Sequence, residues 1–164
     1  MDDYLVGVLS NIGVISFIAL SAYVLLLTGE ISFGQQAFFA IGAYAAGIAT
    51  AMWGWPLGAG LAWGAAVAAA AAVLVGVPTL RLHGLYFAVA TLAFAEMVRI
   101  LFELFRYRIS IDGELVGPDG ADGFRNIRYI FDHDIDTFQF LLLIYSLLAA
   151  ALSGFMLLER SRLG

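Results

Sequence analysis

The chain has no cysteine, no lysine, three prolines and two histidines, and charged residues make up only 13% of its 164 positions. Each scarcity excludes something. Without cysteine there is no disulfide framework and no thiolate metal site. Without lysine there is no Walker A loop, so any nucleotide-derived energy must come from another polypeptide. All eight cations are arginine, set against thirteen acids for a net charge of −5. Nucleic-acid binding needs a basic face or stripe, so it is not expected. No Ser/His/Asp or Cys-based nucleophile can be assembled, because His83 and His133 fall on opposite sides of the expected topology. The expectation is therefore no catalytic residue, no cofactor and no enzyme.

What is abundant is apolar surface. Hydrophobic residues are 62% of the chain and the mean hydropathy is +0.92, where an ordinary soluble domain is about 45–50% apolar. A helix needs roughly 20 apolar residues to cross a bilayer core of about 30 Å. The pattern predicts an all-α, polytopic helical bundle in the lipid bilayer, with about five transmembrane helices over residues 4–27, 31–52, 57–77, 83–104 and 138–158. Residues 1–164 are expected to form a single transmembrane domain. Residues 105–137 are its only long hydrophilic segment, an extracytoplasmic loop centred on the turn-forming Gly117-Pro118-Asp119-Gly120-Ala121-Asp122-Gly123. The acids of Met1-Asp2-Asp3-Tyr4 stand where a signal peptide carries cations, so the first run is expected to be a retained span. If Arg160 and Arg162 are cytoplasmic, the topology is N-out and C-in, with Arg81 inside and the Trp53 turn and acidic loop outside. Arg106 and Arg108, at the outer end of the fourth span, run against that charge rule.

The spans differ in what they carry. Gly42, Ala46 and Thr50 make a stripe of small residues, as do Gly60, Gly64, Ala68 and Ala72 on the third span, and such stripes let helix backbones approach closely. The third span is expected to be enclosed on several sides. Pro78 to Leu82 is expected to be a short polar connection. The basic pair Arg81 and His83 is expected to set topology.

The stretch Thr28 to Tyr44 is the most unusual. Two glycines, two hydroxyls, an acid and two amides precede a wholly apolar run that holds a third glycine, and irregular backbone at membrane depth persists only where protein or a water-filled cavity surrounds it. Two readings are open. In one, Glu30, Ser32, Gly34, Gln35 and Gln36 line a path and offer hydroxyl, amide and backbone groups to a solute. In the other, the stretch is a turn plus a helix start, with Thr28 as the cap and Glu30 complementing the helix dipole. Capping explains Thr28 and Glu30 but leaves Gln35, Gln36 and Gly34 without a reason. On the fourth span, Glu96, Arg99 and Glu103 share one face at i, i+3 and i+7. They are either a polar cluster facing the bundle interior, with Glu96 on the path, or a structural ion pair with Arg99 reaching outward. Asp132-His133-Asp134-Ile135-Asp136 alternates carboxylates, but it lacks the glycine and glutamate of a calcium loop, so no metal is expected and a surface role facing a binding protein is.

Thr28-Gly29-x-x-Ser32-x-Gly34-x-x-Ala37-Phe38-Phe39-x-Ile41-Gly42-Ala43-Tyr44 resembles the early signature of the M-type permease subunits of branched-chain amino acid ABC importers. A second block is similar in order and spacing: Pro78-x-Leu80-Arg81-Leu82-x-Gly84-Leu85-Tyr86-Phe87-Ala88-x-x-Thr91-Leu92-Ala93-Phe94-x-Glu96-x-x-Arg99. So is Asp119-Gly120-Ala121-Asp122-Gly123-Phe124. Together these cover most of residues 27–124. Glu30 departs from a position that is usually glutamine or neutral in the family, and Gln35 from one where histidine is frequent. The resemblance implies a permease for branched-chain amino acids or related small solutes such as amides and urea, working by alternating access in the bacterial inner membrane. Implied partners are separate ABC ATPase subunits, a paralogous permease and a periplasmic or extracellular solute-binding protein. Family members continue past a basic end like that at residues 159–164 into a coupling helix and further spans, so the resemblance also implies the N-terminal part of a longer permease. The rival expectation, from another class, is a small oligomeric channel or a structural subunit of a membrane complex.

Overall fold

The computed structural model describes residues 3–79, 81–111, 113–127 and 137–162, with side-chain surroundings omitted at 3, 137–138 and 157–162. Among the described residues five α-helices are present: α1 Asp3–Leu26, α2 Gln35–Gly47, α3 Leu57–Thr79, α4 Leu85–Leu104 and α5 Thr137–Arg162. Four of them, α1, α3, α4 and α5, are long and apolar enough to cross a membrane. The chain is a multi-pass membrane protein of the all-α class.

The expected second span is where the structure differs. Helix α2 starts at Gln35, four residues later than predicted, and runs 13 residues before a π-helical turn over Ile48–Met52. Both ends have local causes. At the start, the Gly34 N–H donates to Ser32 Oγ at 3.1 Å and the Phe33 N–H donates to Thr91 Oγ1 of α4 at 3.1 Å, which hold residues 31–34 out of helix. At the end, the Thr50 hydroxyl donates back to the Ala46 carbonyl at 2.9 Å, and the Trp53 N–H reaches the Ile48 carbonyl. Such back-bonding loosens the ladder and favours the wider turn.

The predicted small-residue stripes meet each other. A methyl group built on Gly64 would lie 2.5 Å from the Gly42 carbonyl oxygen and 2.9 Å from Ala46 Cβ, and one on Gly60 would collide with the Thr50 methyl. Backbone-to-backbone contact of this kind needs residues without side chains. Beyond that stripe α3 is bare within the described residues: Val73, Leu74 and Val77 are exposed, so the expected enclosure is not supplied by this chain. Helix α3 also continues through Pro78 to Thr79, whose hydroxyl donates to the Val75 carbonyl at 2.8 Å, and α4 starts at Leu85, so the connection between them lies two residues later than predicted.

Helices α2 and α4 run parallel, with Phe38 against Phe94 at 5.2 Å between ring centroids and Tyr44 stacked on Phe102 at 4.0 Å. Between them Ala37, Ala95 and Val98 form a small buried core. Helices α1 and α5 form a second parallel pair. The Tyr145 hydroxyl donates to the Leu9 carbonyl at 3.1 Å, Gly13 makes room for Ile144, and Tyr23 meets Phe155 edge-on at 5.8 Å. These pairings put Glu30, Arg81, His83 and the end of α5 at one membrane face. The Trp53-Gly54-Trp55-Pro56 turn and residues 105–127 lie at the other.

The hydrophilic segment departs from a plain loop. Its described residues form a three-stranded antiparallel sheet, β1 Ile109–Ile111, β2 Glu114–Pro118 and β3 Phe124–Arg125, with a 3₁₀ turn over Gly120–Asp122. Asp119 is buried at 7% exposure and pairs with Arg108 at 3.3 Å and Arg125 at 3.2 Å. Arg108 therefore has a structural task on this face, whichever side of the membrane it occupies. The Gly120 N–H donates to the Phe105 carbonyl at 3.0 Å and Phe124 packs at Gly47 and Tyr44, which seat the sheet on the ends of α4 and α2. The Asp132 to Asp136 run lies outside the described residues.

Candidate functional site

Helix α1 ends in a tight turn: Thr28 Oγ1 donates to the Leu25 carbonyl at 2.7 Å, and Gly29 takes φ +82 as its N–H reaches the Leu26 carbonyl. This is a helix C-terminus, where glycine accepts the left-handed conformation that side chains resist. Thr28 thus closes α1 and does not cap α2, whose N-cap is Gly34 with no side-chain bond.

Glu30 also leaves the expected helix dipole for another. Its Oε2 accepts the Gly84 N–H at 2.9 Å, and its Oε1 lies 3.4 Å from His83 Nδ1. Gly84 is the N-cap of α4, so the carboxylate complements the positive end of α4. His83, predicted only to set topology, joins Glu30 there.

From Glu30 the chain runs outside any helix along the first turns of α4. Its anchors are Glu30 at Gly84 and Phe33 at Thr91. Three extended steps cover about 10 Å at about 3.3 Å each, and seven helical residues cover about 10 Å at about 1.5 Å each. The two rises match, so Ser32, Gly34 and the start of α2 lie about two turns inside the span. Non-helical backbone stands at membrane depth, and side-chain oxygens of Ser32 and Thr91 take two of its N–H groups.

The amides diverge from there. Gln35 and Ser32 line a groove of about 300 Å³ between α1 and the break, with Ile18, Ala22 and Ile31. Gln35 Nε2 is buried without a hydrogen-bond partner among the described residues. Gln36 borders that groove and a second one of about 330 Å³, whose walls include Tyr44, Glu96, Arg99, Phe102, Glu103 and Ala121. So the structure brings Gln36 to Glu96, and keeps Glu30 and Gln35 apart from the charged cluster. In that cluster Arg99 Nε donates to Glu96 Oε2 at 3.0 Å, and Arg99 Nη1 pairs with Glu103. The side chains are 54%, 56% and 45% exposed for Glu96, Arg99 and Glu103, so the chain does not cover them. Charged groups on a spanning helix face protein or water, which assigns this face to something other than lipid.

Thr91 was missed as a site residue in the sequence. It lies in an apolar run, where a threonine reads as one more packing residue. Asp119 was missed as a structural anchor, since every acid of its segment reads as solvated.

A family described as branched-chain amino acid transport system / permease component matches residues 4–164. The chain belongs to this permease family. Two members share 43% identity with it over 75 residues: the high-affinity branched-chain amino acid transport system permease proteins LivM of Salmonella typhimurium and Escherichia coli. Each match covers 46% of this chain and 18% of the relative, so the chain corresponds to a minor part of their length. No solved structure matches.

Proposed function

We propose that this chain forms part of the solute path of an ABC importer for branched-chain amino acids or related small polar solutes, amides and urea among them. Family membership supports the transport class. The observation that carries the reading further is the non-helical segment at membrane depth, flanked by grooves that Ser32, Gln35, Gln36 and Glu96 line. Broken helices at mid-membrane expose backbone and amide groups that a zwitterion can use, as transporter sites in general do. Ser32, Gly34, Gln35, Gln36 and Glu96 border the path in this reading, with Glu30 at its mouth and Arg99 and Glu103 holding Glu96 in place. Alternating access is driven by separate ATPase subunits on the face of Glu30 and Arg81, which makes the topology N-out and C-in. The sheet of residues 109–125 faces the solute-binding protein, and a paralogous permease completes the path.

The test is uptake by the full-length permease reconstituted with its ATPases and binding protein. Gln36→Ala and Glu96→Gln are each expected to raise the KM for solute about tenfold, the factor for roughly 1.4 kcal/mol of lost contact. Unchanged uptake of every branched-chain amino acid and amide tried, at normal membrane levels, removes the path reading.

A further inference from the structure

Thr91 is two turns down α4 from Gly84, buried at 6% exposure in a face that is otherwise apolar. Its hydroxyl makes two bonds of opposite sense: it donates to the Ala88 carbonyl at 3.0 Å and accepts the Phe33 N–H at 3.1 Å. The first bond is available to any helical threonine and fixes the rotor. With the proton so committed, the oxygen presents its lone pairs to a segment whose N–H groups have no helix to use. Ten ångströms or so away, by the rise of α4, the Glu30 carboxylate takes the Gly84 N–H. One bond runs from the break to α4 and the other from α4 to the break, so the segment is held at both ends and in both directions.

We infer that Thr91 is a positioning residue, which together with Glu30 clamps residues 30–34 against α4 and sets where Ser32, Gly34 and Gln35 stand. Releasing Thr91 leaves the Phe33 N–H unpaired at depth and the segment fixed at Glu30 alone. Gly34 reports on this directly. It is buried, has φ −84, and a methyl group on it would stand 3.5 Å from Phe38 and Ser32 Oγ and 3.6 Å from Thr91 Cβ. A side chain fits there at ordinary contact distance, shielded by Thr91 itself.

The experiment places Gly34→Cys in the full-length permease, in membrane vesicles, and measures its rate of reaction with a water-soluble maleimide. This stretch of chain has no cysteine to interfere. Slow labelling is expected in the parent. Thr91→Val, which keeps the shape and removes the acceptor, is expected to speed it about fivefold, as loss of one hydrogen bond of ordinary net strength gives. Glu30→Gln is expected to speed it less, since an amide oxygen still accepts from Gly84, and Thr91→Ser is expected to restore the parent rate. A Thr91→Val rate within twofold of the parent overturns the clamp. If that variant does not reach the membrane, Glu30→Ala decides in its place, and a parent-like rate there overturns it equally. The inference rests on the path reading only for its effect on transport: faster labelling with unchanged uptake keeps the clamp and removes the path, whereas unchanged labelling with altered uptake does the reverse.

Discussion

Glycines in this chain are of two kinds, and substitution separates them. Gly64 faces backbone, with the Gly42 carbonyl 2.5 Å from where a Cβ would sit, while Gly58 on the same helix has nothing within 4 Å. Gly64→Ala must push α3 away from α2 and is expected to cost about 1–3 kcal/mol, the usual penalty of overpacking. Gly58→Ala is expected to be neutral or to stabilise by up to about 1 kcal/mol, because alanine loses less backbone entropy in a helix. Thermal denaturation of the detergent-solubilised protein distinguishes the two. Asp119 makes a second residue-scale case. Asp119→Ala removes the buried carboxylate that two ion pairs share, and since the Arg108 and Arg125 left behind are partly exposed and can rehydrate, the loss is expected near the lower part of the range of about 1–3 kcal/mol. Limited proteolysis within residues 105–127 should be accelerated in that variant while the spans stay intact.

At the scale of elements, hydropathy sufficed for the long helices. Runs of about 20 apolar residues leave no alternative in lipid, so α1, α3, α4 and α5 were legible to within a few residues. The stripes of Gly42, Ala46 and Thr50 and of Gly60 and Gly64 were also legible as close-packing faces, whereas their meeting each other is seen only in the structure. The start of α2 was not legible. Ser32 and Gly34 advertised irregularity, but what fixes the boundary is a hydroxyl 58 residues away on α4, and local propensity carries no trace of such a partner. The sheet of residues 109–125 was hidden for a related reason: its strands are two to five residues long, and the buried carboxylate that organises them looks like its solvated neighbours. Of the site, residue types were readable and pairings were not. That Gln36 and Glu96 line one groove, and that Glu30 accepts from Gly84, are tertiary facts. The sidedness of these elements is checked by Ala121→Cys and Leu82→Cys, both exposed positions. They are expected to label from opposite sides of the membrane, Ala121→Cys from the outer one, and labelling from the same side overturns α4 as a span.

At the scale of the whole molecule, the chain makes two parallel helix pairs that differ in how they are covered. The α2 to α4 group has a buried core and a seated sheet, whereas α1 and α5 meet along one seam, with Leu5, Ile12, Ile15 and Leu147 exposed. Lipid can cover those apolar residues. It cannot cover Glu96, Arg99 and Glu103, so this face calls for protein or water once the molecule is in a bilayer. Mutating the cluster to apolar residues is accordingly expected to leave membrane insertion unimpaired, because the hydropathy of α4 rises, while assembly or transport is lost. Quantifying membrane-inserted protein beside uptake checks both halves, and retention of full uptake contradicts the assignment.

The matched rise of the non-helical stretch from Glu30 to Phe33 and the first turns of α4 also constrains how this molecule can vary in length. One residue inserted between Glu30 and Phe33 adds about 3.3 Å, which two residues added to α4 would recover in depth at about 1.5 Å each. Those two residues would also turn Thr91 by about 200° around the helix, away from the strand. Depth and direction therefore cannot be repaired together. The spacing between Glu30 and Phe33 behaves as a fixed gauge, open to changes of side chain and closed to insertion or deletion.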